Sequence, residues 1–197
     1  MSKIIDDTYQ FEKALRLVSN VFNSEERLPN QVFKVPFQNT VIIDFDHAMS
    51  SYFWNELEKL TDKCEDSFVI MAVLEPDPVN YYYKEFSKYN WCLFQKGTTV
   101  DEYWNTLKES PVDSPADAIV SNSEVVLWLP SSMKWAVWGE RSYGICVLGF
   151  NEVSDYKSES WFTMDRAITD LVSLNFKDNT VPEEVSSKLM KFYSNIK

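Results

Sequence analysis

One histidine and four glycines in 197 residues leave little room for the commoner enzyme chemistries. Any Ser-His-Asp triad or Cys-His pair has to use His47, and no Gly-x-Ser-x-Gly elbow occurs. Phosphate-cradling loops are missing too, since neither Gly-x-Gly-x-x-Gly nor a Walker A sequence is present. The three cysteines, Cys64, Cys92 and Cys146, are odd in number and far apart. That excludes a paired disulfide framework and a Cys-x-x-Cys metal or redox motif. Their apolar neighbours predict buried, inert thiols. Clustered positive charge is also absent. The net charge is −11, divided as −5 over residues 1–98 and −6 over residues 99–197, so there is no acidic tail and no basic arm to displace counterions from nucleic acid. The longest apolar run, FVIMAVL at 68–74, is too short to span a bilayer. MSKIIDDTYQ carries no apolar leader core. The expectation is a cytoplasmic protein that uses no cofactor or metal and meets neither nucleic acid nor membrane.

What the chain has is apolar and aromatic mass. It is 45% hydrophobic and 15% aromatic, with seven tryptophans, enough to bury a sizeable core without covalent staples. Phe11, Leu15, Val18 and Phe22 recur at helical spacing and predict a helix over 8–22, with Asp6, Asp7 and Thr8 available as caps. VIIDF at 41–45 predicts a strand. Phe53, Leu57, Leu60 and Cys64 predict a helix over about 50–63. FVIMAVL is apolar at every position, which suits a central strand covered on both faces. Asp77 and Pro78 predict the start of a short helix, and NWCLF at 90–94 another strand.

Thr99-Val-Asp-Glu102 reads as a capping box opening a helix over about 99–109. EVVLWL, MKWAVW and YGICVLGF, separated by PSS and GERS, predict an antiparallel meander. Met164, Ile168 and Leu171 predict a helix over about 160–174. Thr180-Val-Pro-Glu183 reads as a second capping box before a helix with Val185, Leu189, Phe192 and Ile196 on one side. No internal repeat is visible. The order of elements predicts a single α+β domain over 1–197: one mainly antiparallel sheet, with the meander in its C-terminal half and helices packed on it.

Two stretches carry candidate chemistry. In VIIDFDHAMS, residues 41–50, an apolar strand delivers Asp44 and Asp46 at its end. The run VIIDFD resembles the first motif of the haloacid dehalogenase-like phosphatases. That resemblance implies Asp44 as nucleophile and Asp46 as acid/base beside Mg²⁺. The sequence departs from that pattern at Ala48, where the family has Thr or Val, and in the helix and loop that precede the strand. The alternative is that Asp44 and Asp46 cap the next helix or lie on a solvated strand end, with His47 a surface residue beside them. Asp44, Asp46 and His47 lie too close together along an extended strand to converge on one metal.

The second stretch is SSMKWAVWGERSYGICVLGF, residues 131–150. Strand alternation puts Met133, Trp135 and Val137 on one face and Lys134, Ala136 and Trp138 on the other. The face with Trp138 is either covered by a helix or a recognition surface. Glu140 and Arg141 fall at a turn, where a charged pair belongs in solvent, and Cys146 falls inside. The sixteen residues KWAVWGERSYGICVLG are similar to a pattern in small acidic bacterial immunity proteins of toxin/immunity pairs. The resemblance implies a protein without catalytic groups that binds and occludes a cognate toxin. An acidic surface suits a basic toxin domain. Asp44, Asp46, Trp138, Glu140 and Arg141 are the candidate partner-binding residues.

Overall fold

The computed structural model describes residues 3–151 and 157–194. Seven strands form one sheet: β1 Asn39–Asp44, β2 Phe68–Glu75, β3 Trp91–Gln95, β4 Val125–Pro130, β5 Trp135–Glu140, β6 Ile145–Phe150 and β7 Trp161–Phe162. Their order is β3-β2-β4-β5-β6-β1-β7, and every described pairing is antiparallel. The eight described α-helices are α1 Thr8–Val21, α2 Phe45–Ala48, α3 Tyr52–Cys64, α4 Lys84–Phe86, α5 Val100–Lys108, α6 Ile119–Asn122, α7 Met164–Asp170 and α8 Glu183–Tyr193. The class is therefore α+β, and β4-β5-β6 is the expected meander. No helix among the described residues is long and apolar enough to cross a membrane.

The sheet separates two apolar layers, and strand alternation decides which side chain enters which. Trp135 and Val137 join Cys146 and Leu148 beneath α2, α3 and α5. Ala136 and Trp138 join Ile145 and Val147 beneath α1, the 28–33 segment, α7 and α8. Every residue of β4, β5 and β6 is consequently buried, so these strands read as continuous apolar runs. Trp91, Trp128, Trp135 and Trp138 are fully buried. Truncating any one to alanine removes packing worth about 3–5 kcal/mol. At the β3 edge, Ile5 N–H donates to Trp91 O at 2.8 Å and Leu93 N–H to Lys3 O at 2.9 Å. The N-terminal segment thus covers an otherwise open edge.

Local signals set most helix ends. Asp7 caps α1 by accepting from Gln10 N–H. The Thr99–Glu102 capping box forms with both of its bonds. Thr99→Ala is expected to cost about 1 kcal/mol, read as a lower urea midpoint at an unchanged slope.

Several boundaries differ from expectation. Leu15 is exposed, because α1 buries Phe11, Ala14 and Val18 instead. The helix expected over 160–174 is divided. Trp161 and Phe162 pair with Ile43 and Ile42 as β7, and α7 stops where Leu171 leaves helical geometry. The second capping box does not form: α8 begins at Glu183 after Pro182, and the Thr180 hydroxyl donates to Asp178 O. Pro182 disfavours a helical conformation at Val181, which delays the start. Ile196 and residues 152–156 of the polar link lie outside the described residues.

Gly144 takes φ +67 in the β5–β6 turn, a conformation that suits glycine. At Gly149 the Phe37 ring stands 2.3 Å from where a β-carbon would be, so the strand admits no side chain there without displacing the ring.

Candidate functional site

Register alone assembles a charged end of the sheet. Asp44 and Glu140 both pair with Ile145, Val125 pairs with Glu140, and Glu75 pairs with Val125. The ends of β1, β2 and β5 and the start of β4 therefore meet. Asp44, Asp46, Glu75, Glu124 and Glu140 converge there with two arginines, Arg27 and Arg141. The turn at 141–143 stands between two clefts. One, about 330 Å³, is lined by Asp44, Phe45, Asp46, Arg141, Gly144, Leu171, Leu174 and Asn175. The other, about 380 Å³, is lined by Arg27, Leu28, Glu75, Glu124, Val125, Glu140, Ser142 and Tyr143. Leu174 is 67% exposed on the first cleft, a large apolar side chain in contact with water.

The five residues singled out from sequence share this end of the sheet, but only three of them face a cleft with substantial exposure. Asp44 is half-buried and caps α2, accepting from His47 N–H at 2.8 Å. Asp46 is exposed in the first turn of that helix, where a negative charge suits the helix dipole. The capping alternative therefore describes Asp44. Among the described residues, no group of three or more His, Cys, Asp and Glu side chains is placed to hold a metal ion.

Trp138 and Glu140 require correction. Trp138 is fully buried, packed at 5.9 Å from the Phe22 ring, so its face is covered rather than open for recognition. Glu140 is only 3% exposed, not a solvated turn residue. Its Oε1 accepts from Leu28 N–H at 2.6 Å and from Trp138 Nε1–H at 2.8 Å. Burial pushes the Glu140 carboxyl above its ordinary range, although the Leu28 amide, the Trp138 indole and Arg27 all pull the other way. The explanation lies far off in the chain: the 22–38 segment folds back over β5 and leaves the Leu28 amide needing an acceptor.

Glu140 and Arg141 do not form the expected exposed pair. Arg141 instead donates Nε–H to Ser123 O at 2.9 Å, faces Glu124 at 3.5 Å and lies 4.8 Å over the Phe45 ring. Arg27 similarly faces Glu75 at 3.7 Å.

A second polar cluster was not visible from sequence. Glu56, buried on α3, accepts from Ser160 Oγ at 2.8 and 2.9 Å and from Trp161 Nε1–H at 3.1 Å. His47 Nε2 lies 2.6 Å from Glu56 Oε1. The serine bonds the carboxylate rather than the imidazole, so the arrangement is not a Ser-His-acid relay, in which histidine stands in the middle. Cys146 is buried, and burial raises its thiol well above the ordinary value, which suits an inert core residue.

No family model matches the chain, and no curated protein or solved structure matches it either.

Proposed function

We propose that this protein is a non-catalytic binding protein of the immunity type, which neutralises a basic toxin domain by covering its working surface. The observation that carries this reading is the sheet end itself. Five carboxylates from four chain segments stand there against two arginines, beside two clefts and an exposed Leu174. Such a surface attracts a cationic protein and offers carboxylates where that protein would hold phosphate. Exposed Asp46, Glu75 and Glu124 supply long-range steering, and the clefts admit side chains that displace water. Leu174, exposed on the first cleft, provides an apolar contact of the kind from which interfaces draw affinity. A cytoplasmic location follows from this role, because the producing cell is what such an inhibitor protects.

The test is kinetic. The product of the adjoining reading frame is co-expressed, purified with this protein, separated, and its re-association followed by stopped flow at several salt concentrations. The wild type is expected to form a one-to-one complex and abolish the toxin's activity. The Asp46→Asn, Glu75→Gln, Glu124→Gln triple variant, changed only at exposed positions, is expected to associate about tenfold more slowly at low salt. Its rate should also depend less on ionic strength. A triple variant with wild-type rates at every salt concentration would remove this surface from the reading.

A further inference from the structure

The chain's single histidine stands at a junction that the binding surface does not use. Strand β7 is two residues long and pairs with β1 only through Ile42–Phe162 and Ile43–Trp161. Two ladder positions hold an edge strand weakly on their own. What adds to them is Glu56, 8% exposed, which takes Ser160 by both carboxylate oxygens and Trp161 through its indole. His47 bonds the same carboxylate at 2.6 Å. We propose that His47 and Glu56 form a proton-operated latch on the Ser158–Phe162 segment, closed while the imidazole carries its proton and loosened when it loses it.

The groups that act on the latch come from each packed element. Glu56 on α3 and Asp44 at the end of β1 both attract charge on His47. Asp46 and Lys59 are ionisable neighbours along α2 and α3, Glu159 belongs to the latched segment and Lys157 immediately precedes it. The hydrogen bond to Glu56 raises the His47 value above its ordinary 6.5, against burial, and the two carboxylates add to the rise. Burial opposes ionisation of Glu56. The bonds from His47 and Ser160, the nearby imidazolium and the Trp161 indole outweigh it and hold the carboxyl below its ordinary 4.5.

The signs follow from linkage. A raised histidine contributes fully below its ordinary value and loses that contribution as pH rises through the folded value. A depressed carboxyl contributes above its ordinary value and loses that as pH falls through the folded one. Both contributions are complete between the two ordinary values, 4.5 and 6.5. Closure and protonation support each other. The covering segment keeps water from Glu56 and so strengthens its pull on the His47 proton, while an open segment lets water screen that pull.

Because His47 is the only histidine, its imidazole gives an unobstructed NMR titration. The experiment follows that signal, the Trp161 indole N–H and the amide-exchange protection of Trp161 and Phe162 from pH 5 to 9. Protection factors correct for the intrinsic pH dependence of exchange. The expected result is a His47 midpoint above 6.5, with the Trp161 indole shifting at the same midpoint. Protection at 161–162 should fall above that midpoint, by about tenfold for each unit of the midpoint's rise. Core amides in β5 and β6 should stay more protected than those of 161–162 at every pH. Glu56→Gln should return the midpoint to the ordinary range. His47→Gln, at a half-buried position, should remove the step while leaving the fold intact. A midpoint at or below 6.5, or a step that persists in folded His47→Gln, overturns the latch.

Discussion

Replacing Glu140 with alanine is expected to lower the unfolding free energy by about 2–5 kcal/mol, whereas Glu140→Gln costs less than about 1.5 kcal/mol. Both partners of this carboxylate are buried N–H donors, the Leu28 amide and the Trp138 indole. Alanine leaves each without an acceptor, and an orphaned buried donor costs about 1–3 kcal/mol. Both bonds fall on one oxygen, Oε1, and glutamine retains one carbonyl oxygen that can receive them. The charge itself works against the fold, since burial raises the Glu140 carboxyl above its ordinary 4.5. For a carboxyl shifted this way, the neutral form suits the native state. Stability from this group is therefore complete below 4.5 and declines as pH rises through the folded value. Glutamine lacks that decline, so its deficit against wild type should shrink between pH 4.5 and 8. Urea unfolding followed by tryptophan fluorescence at both pH values measures this. Equal losses for alanine and glutamine would show that an isosteric acceptor does not replace the carboxylate, and would overturn the acceptor argument.

This carboxylate also marks the limit of what the sequence discloses. Periodicity is local, and the chain reads well wherever structure is local. The capping box at Thr99, the stripe of α3, the doubly covered β2 and the alternation of Trp135 and Trp138 are all legible, because helix and strand periods are fixed by backbone geometry. Glu140 sits beside Gly139 at a predicted turn, and turn charges are ordinarily solvated. Its burial is decided 112 residues earlier by Leu28, whose amide arrives on a segment with no regular period. The candidate surface shows the same division. Asp44 and Asp46 were visible as carboxylates at a strand end. Glu75 and Glu124 join them only through sheet order, which places β4 between β2 and β5, and Arg27 arrives on the irregular segment that also carries Leu28. The two clefts are products of topology. Glu56 looks like an ordinary helix carboxylate until Ser160 and Trp161 return to it across 104 and 105 residues. The missed start of α8 is different, because the Pro182 that defeats the capping box is in plain view and outranks it.

At the other end of β5, replacing Asp66 should be as damaging as replacing Glu140, with one diagnostic difference. Asp66 is 1% exposed and uses both oxygens. Oδ1 accepts from Ser132 N–H at 2.7 Å and from Ser131 Oγ at 3.1 Å, and Oδ2 accepts from Trp135 Nε1–H at 3.2 Å. The meander thus hands each of its β5 tryptophans to a buried carboxylate, Trp135 to Asp66 on one face and Trp138 to Glu140 on the other. Asp66→Ala leaves the Ser132 amide and the Trp135 indole without acceptors, an expected loss of about 2–5 kcal/mol. Asparagine cannot rescue it as glutamine rescues position 140. An asparagine side chain has one acceptor and one donor, and whichever way it turns, its NH₂ meets one of two N–H groups that point at it. Asp66→Asn should therefore lie within about 1 kcal/mol of Asp66→Ala, while Glu140→Gln lies well above Glu140→Ala. Chemical unfolding of the four variants at pH 7, with equal slopes to confirm unchanged cooperativity, compares them directly. If Asp66→Asn proves as stable as wild type, one of the two oxygens is dispensable, and the other alone carries what Asp66 contributes. If instead all four variants fall together, the isosteric amides give no rescue at either site, and carboxylate charge rather than acceptor count is what the two tryptophan-bearing ends of β5 require.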